Sequence, residues 1–136
     1  MRVYRHRHVV TFAETNLVGN VYFAHYLHWQ GECRERFLAE HAPGVLDAVR
    51  TGTLALATVS CSMSYYAECF ALDQVEVVMT LRARGAGRIA MDFEFLRNDQ
   101  VVARGDQVVA CLRRDNGVAR LIAIPQELDA ALSAFA

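Results

Sequence analysis

The sequence predicts an α+β chain in which one long helix is wrapped by a curved antiparallel sheet of five to six strands. Three observations predict it. From Val21 to about Glu40, Tyr22, Tyr26, Trp29, Cys33 and Phe37 recur at steps of three and four, with Phe23, Leu27 and Leu38 on the neighbouring stripe; this is the period of a helix with a broad apolar face. Beyond Leu54 the period falls to two: Met91, Phe93 and Phe95 alternate with Asp92 and Glu94, as in a strand with one buried face. The joints between the later runs, Gly85-Ala86-Gly87, Asn98-Asp99 and Asp115-Asn116-Gly117, are short and suit hairpins.

The elements follow in order. Val3 to Ala13 mixes apolar and basic residues and reads as a first strand. Asn16 to Asn20 is a turn, and it opens into the long helix. His41-Ala42-Pro43-Gly44 ends that helix, because Pro and Gly sit just beyond a helix end. Val45 to Thr51 adds a short helical turn. Leu54 to Cys69, Val75 to Arg84, Arg88 to Arg97, Val101 to Arg113 and Val118 to Ile124 are the remaining strands. Pro125 starts a terminal helix with Leu128, Leu132 and Phe135 on one face. A helix of ~20 residues spans ~30 Å, and a strongly curved sheet can cover most of it.

Bulk properties narrow the function. The 136 residues suit a single domain, 1–136, with no repeat, linker or low-complexity segment. The chain is 54% hydrophobic and 21% charged, an excess that suits an oligomer or an apolar ligand tunnel. A net charge of -1 gives no electrostatic case for a nucleic-acid partner. The Arg2 to His8 cluster reads as the polar face of a first strand, or as a contact for an acidic partner or a phosphate. Cys33, Cys61, Cys69 and Cys111 form no C-x-x-C pair and read as separate buried thiols in a reducing cytoplasm. No run of ~18 apolar residues exists, so no membrane span is expected. The first residues lack a signal-peptide core. No metal and no cofactor is expected.

The turn from Asn16 to Asn20 and the helix start that follows are the candidate site. Exposed amides at a helix start can hold a carbonyl oxygen that is gaining negative charge. Asn16 is either a donor to such a carbonyl or a turn residue bonded to its own backbone. Tyr26 is either a hydrogen-bonding phenol or a core aromatic. Gly31, mid-helix, permits close packing at a cost of ~1 kcal/mol relative to Ala. Arg34 shares a helix face with Leu27. Its guanidinium therefore lies beside the apolar stripe and must find partners, because an unpaired desolvated cation is costly. Glu32 and Glu35 read as surface or helix-partner charges. His25, His28 and His41 read as surface or core-edge groups with no nucleophile at triad spacing.

The stretch Glu14-Thr15-Asn16-Leu17-Val18-Gly19-Asn20-Val21-Tyr22-Phe23, continued by Tyr26-Leu27-His28-Trp29-Gln30-Gly31-Glu32-Cys33-Arg34, resembles the turn and helix of hotdog-fold thioesterases of the 4-hydroxybenzoyl-CoA thioesterase superfamily. Within it, the wording is most similar to the thioesterases of enediyne polyketide biosynthesis. Ser62 to Val75 and Val101 to Val109 are similar to later strands of the same plan. The resemblance implies one hotdog domain that releases a β-keto polyene from the acyl-carrier domain of an iterative polyketide synthase. It also implies loss of CO2 from the freed acid, and a homodimer or homotetramer. Asn16 stands where the superfamily has a catalytic Asp, and Gly31 where other branches have an acidic helix residue. An amide is neither base nor nucleophile at neutral pH. The resemblance therefore assigns carbonyl or water positioning to Asn16 and oxyanion binding to the Phe23 amide. It assigns the β-keto group to Arg34 and Tyr26. Gly19, Tyr22, Leu27 and Tyr65 would contact the acyl chain, with the Leu54 to Tyr66 strand and the helix stripe forming its tunnel. The Phe23 ring is expected in the core. The carrier would approach Arg5 and Arg7, or Arg82 and Arg84. A broad acyl-CoA thioesterase and a non-catalytic acyl-binding protein remain as alternatives.

Overall fold

The computed structural model describes residues 2–136. The chain runs β1 (Tyr4–Val9), a 3-10 turn (Phe12–Glu14), α1 (Ala24–His41), α2 (Pro43–Thr51), β2 (Leu54–Tyr65), β3 (Gln74–Gly85), β4 (Arg88–Arg97), β5 (Gln100–Asp115), β6 (Val118–Leu121) and α3 (Gln126–Ser133). The six strands form one sheet of order β1-β3-β4-β5-β2, with β6 added beside β5. All pairings are antiparallel. This is the α+β architecture that the two periodicities predict, a long helix held in a curved hotdog sheet.

Alternation decides which face meets the helix. On β4 the inward residues Ile89, Met91, Phe93 and Phe95 are buried, while Asp92 and Glu94 face out. On β3 Val75, Val77 and Met79 face in. Helix α1 buries Tyr26, Trp29, Gln30, Cys33, Phe37 and Leu38 against this surface. Fully burying one large apolar side chain contributes ~1.5–3 kcal/mol, so this aromatic stripe fixes the helix in the sheet. At the far end Phe37 meets Tyr4 and Phe135 edge-on, at ring separations of 5.4 and 5.1 Å. The Glu127 carboxylate of α3 accepts from the Val45 amide at 2.7 Å and from the Gly44 amide at 3.3 Å, closing the start of α2.

Several boundaries differ from expectation for identifiable reasons. Helix α1 begins at Ala24, not Val21. The Val21 amide is committed to the Cys69 carbonyl at 2.8 Å and the Tyr22 amide to Glu14 at 3.0 Å, so both are locked in bridges before a helix can start. Strand β1 stops at Val9, and a capping box between Thr11 and Glu14 turns the chain. Strand β2 stops at Tyr65 because the Tyr66 and Ala67 amides both turn to the Val102 carbonyl, at 2.8 and 3.2 Å. Strand β6 ends at Leu121 rather than Ile124. The helical turn after Pro43 is a full helix of nine residues, ended by Gly52 at φ +83°. Cys33, Cys69 and Cys111 are buried free thiols as expected, but Cys61 is exposed, since it lies on β2 at the open edge of the sheet.

Candidate active site

Asn16 begins a tight turn. Its amide donates to the Asn20 carbonyl at 2.7 Å, its carbonyl accepts from Gly19 at 2.9 Å, and its Nδ2 donates to Asn20 Oδ1 at 3.3 Å. Gly19 sits at φ +97°, where a side chain would be strained. The turn is tied down on both flanks by bridges from Thr15 to Val21 and from Asn20 to Phe70. Asn16 is thus a turn residue whose Oδ1 and second amide hydrogen take no partner among the described residues. Leu17 and Val18 at the tip are exposed.

Glu14 anchors this turn to the helix, a role the sequence reading did not find. Its carboxylate accepts from the Thr11 amide at 2.8 Å and from Trp29 Nε1 at 2.7 Å, and it meets His8 Nε2 at 2.8 Å. The His8 ring also stacks on Trp29 at 4.7 Å. Burial pushes the Glu14 carboxyl up, but the Thr11 amide, Trp29 and His8 together outweigh it and bring it down to about 2. Glu32 lies beside the same network, 2.5 Å from His6 Nε2 and 3.7 Å from His8 Nδ1. It is therefore a partner charge to strand β1.

The helix start carries the remaining predicted contacts. Among the described residues, no chain acceptor takes the Phe23 amide, so this N–H is available at the end of a helix dipole. The Phe23 ring is exposed rather than in the core. Phe23 caps the start of α1 with helical dihedrals, and its ring lies against Tyr22 at 4.7 Å. Tyr22 is likewise exposed. Tyr65 donates its hydroxyl to the Phe23 carbonyl at 2.9 Å and sets its ring edge-on to Tyr26 at 5.1 Å. Tyr26 is buried between Trp29, Tyr65 and Phe95. Burial, helped by a contact with the Cys69 thiol, raises its phenol well above the usual range. It makes no hydrogen bond to Asn16, and its ring packs in the core. Leu27 is half-buried on the side of the helix next to it.

Arg34 does not find the partners that a buried cation needs. Its Nε and Nη1 are buried without a hydrogen-bond partner among the described residues. Burial lowers its pKa, and only neighbouring Glu35 opposes this. Position Gly31 is also informative: a Cβ placed there meets nothing within 4 Å. Close packing therefore does not explain this glycine; it borders open space on the helix. Arg34 is eleven residues past Phe23 along the chain, which is ~16 Å along the helix axis. Arg34 and the Phe23 amide of one chain therefore lie well apart.

The proposed carrier contacts also differ from one another. Arg5 pairs with Glu76. Arg82 pairs with Asp92 and Asp106, at 3.2 and 3.4 Å, and Arg84 with Asp129 at 3.2 Å. Arg7 borders a small pocket with Glu76 and Asp99. A larger pocket of about 420 Å³ opens on the outer sheet face between Ser62, Thr80, Asp92 and Asp106, the last two being the partners of Arg82. No helix among the described residues is long and apolar enough to cross a membrane.

The thioesterase-like superfamily model matches residues 10–132. The chain belongs to that superfamily. A solved structure of the dynemicin thioesterase, described in terms of induced fit upon polyene binding, is 54% identical with a TM-score of 0.94, and the match covers 98% of this chain and 97% of that one. A 1,4-dihydroxy-2-naphthoyl-CoA hydrolase of Synechocystis sp. is 25% identical over 114 residues, 82% of this chain and 83% of that protein. The corresponding hydrolase of Synechococcus elongatus is 28% identical over 117 residues, again 82% and 83%. As a member of this superfamily the chain carries a thioesterase scaffold, with its turn and helix start inside the matched region.

Proposed function

We propose that this superfamily member, acting through residues 1–136 as one domain, is a cytoplasmic thioesterase of enediyne polyketide synthesis. It hydrolyses a β-keto polyene thioester held on the acyl-carrier domain of an iterative synthase. The likeness to the dynemicin thioesterase over nearly the whole chain supports this substrate class. The free Phe23 amide beside the Asn16 turn supports the reaction type.

The chemistry needs no carboxylate base. The thioester carbonyl oxygen points at the Phe23 N–H, and a water positioned by Asn16 Oδ1 adds to the carbonyl carbon. The tetrahedral oxyanion is stabilised by the amide, an effect on the order of 3 kcal/mol per donor. Collapse breaks the C–S bond, and the carrier thiol takes the proton that the water loses. The freed β-keto acid then loses CO2 to give an enol and from it a ketone. A β-keto acyl group is activated enough for this, with positioning supplying much of the rate.

Two copies complete the site in this reading. The helix geometry keeps Arg34 ~16 Å from its own Phe23 amide, while β2 leaves an open sheet edge twelve residues long that a second copy can pair with. Arg34 of one copy then meets the β-keto oxygen of an acyl group whose carbonyl lies at Phe23 of the other. Dimers of this kind pair further into a tetramer. The polyene runs past Leu27, Tyr22, Gly19 and Tyr65.

The test is release of the polyene from a loaded carrier domain. Asn16→Ala is expected to slow release by about a hundredfold. Asn16→Asp is expected to gain activity on simple acyl-CoA esters, because a carboxylate then faces the carbonyl. Full release by the alanine variant, with no gain in the aspartate variant, would remove Asn16 from the site.

A further inference from the structure

Helix α1 starts without the local capping that fixes most helix starts. Ser, Thr, Asp and Asn are the residues whose side chains cap such an end. Here the position is held by Phe23, which makes no side-chain cap bond. In the first turn the Tyr26 amide reaches the Phe23 carbonyl only at 3.4 Å, beyond the ~2.7–3.2 Å of most such bonds. A helix end with so little of its own to hold it frays readily. Left to α1 alone, the free Phe23 N–H would be poorly fixed in direction.

Other parts of the chain hold this start from two sides. On one side the Tyr22 amide donates to the Glu14 carbonyl at 3.0 Å, and the Tyr22 carbonyl accepts from the His25 amide at 3.0 Å. That carbonyl shares a peptide plane with the Phe23 N–H. On the other side the Tyr65 hydroxyl donates to the Phe23 carbonyl at 2.9 Å. The Tyr65 ring stands edge-on to Tyr26 and to Phe23, at 5.1 and 6.5 Å. Tyr65 is the last residue of β2, and the sheet anchors it there. It is the register partner of Ala103, and the next two amides, of Tyr66 and Ala67, turn to the Val102 carbonyl at 2.8 and 3.2 Å. Burial raises the Tyr65 phenol above its ordinary range, so it keeps its proton. That single proton is committed to the Phe23 carbonyl.

We propose that Tyr65 is a positioning residue, whose hydroxyl clamps the Phe23 carbonyl to the end of β2 and so aims the Phe23 N–H at the thioester oxygen. A donor to a developing oxyanion is effective when it is fixed before the charge forms, and a small misplacement is costly in rate. The sheet thus supplies, from a distant part of the chain, the hold that the sequence of the helix start lacks. The proposal rests on the thioesterase reading and gives Tyr65 a task apart from contact with the acyl chain. The two tasks use different parts of the side chain: the ring for contact, the hydroxyl for the clamp.

Tyr65→Phe removes the hydroxyl and keeps the ring. It is expected to slow single-turnover release of polyene from a loaded carrier domain by about tenfold. Binding of a non-hydrolysable acyl-pantetheine amide, titrated by calorimetry, is expected to change less than about twofold, because the clamp acts on the charge that develops in the transition state. Tyr65 is exposed, and a thermal melt close to the parent's is expected. Tyr22-Phe23 is the one Tyr-Phe pair in the sequence, so isotope labels on tyrosine carbonyls and phenylalanine nitrogens isolate the Phe23 amide by NMR. Its resonance is expected to move in the variant. Release at the parent's rate would overturn the clamp and leave the thioesterase reading intact. Binding of the amide that weakens in step with release would overturn it as well, since Tyr65 would then be an acyl contact. No release by the parent itself would remove the thioesterase reading, and the clamp with it.

Discussion

Arg34→Met is expected to lower the rate of polyene release by about a hundredfold while leaving the protein at least as stable as the parent. The two effects have separate causes. The parent keeps Nε and Nη1 of Arg34 buried and without a partner among the described residues, and burial pulls its pKa down. Removing a buried charge in favour of an apolar side chain of similar length is often neutral or stabilising by ~1–4 kcal/mol. A rise in Tm of roughly 3 °C corresponds to the low end of that range, about 1 kcal/mol. The loss of activity follows from removing a charged donor to the acyl group, which is worth ~2–3 kcal/mol. Thermal melts and single-turnover release assays on the same preparation measure both. A residue that serves only the fold would lose stability and activity together. A site residue that strains the fold trades one for the other.

Glu14→Gln is expected to destabilise the protein by ~2–3 kcal/mol, a fall in Tm of roughly 8 °C. The carboxylate accepts from Thr11 and Trp29 and meets His8. A glutamine would turn an NH2 group towards one of these donors and leave it unpaired. The same network sets an acid limit. Glu14 titrates at 4.5 without its partners and at about 2 in the fold. A carboxyl whose folded pKa is depressed stabilises the protein fully above its unfolded pKa. That contribution is lost as pH falls from about 4.5 towards about 2. The parent should therefore lose stability through this window, and Glu14→Gln should lose less. The chain has a single tryptophan, and Trp29 donates directly to Glu14, so its fluorescence reports the break without interference. An identical acid dependence in parent and variant would show that Glu14 does not hold the turn.

The parts of this protein that were legible in the sequence are those set by local pattern. The period of three to four between Tyr26 and Phe37 located α1, and the Gly and Asn joints located the hairpins of β3, β4 and β5. The Asn16 to Asn20 turn was legible because Gly19 supplies the positive φ that such a turn needs. What escaped depends on contacts far apart in the chain. Glu14 gave no sign of being a half-buried anchor, because its partner Trp29 lies fifteen residues on. Gln30 stands between His28 and Glu32 and Gln107 follows Arg104 and Asp106, and residues in such polar company read as surface until the opposing layer is known. The exposed Phe23 ring and the late start of α1 share one cause. The bridges of Val21 and Tyr22 to neighbouring segments override helix propensity there. The need of Arg34 for a partner was legible, but its ~16 Å separation from Phe23 emerges only once the helix is taken as straight and continuous.

Mixed dimers give the most direct measurement of a site shared between two copies. Asn16→Ala and Arg34→Ala chains, carrying different affinity tags, would be co-expressed and the mixed species purified. Each variant alone is expected to be nearly inactive in polyene release. A mixed dimer has one site with both residues intact and one with neither, so it should recover about half the parent's rate per dimer. A mixed dimer as inactive as either variant alone would show that Asn16 and Arg34 act from the same chain, and would contradict the composite site.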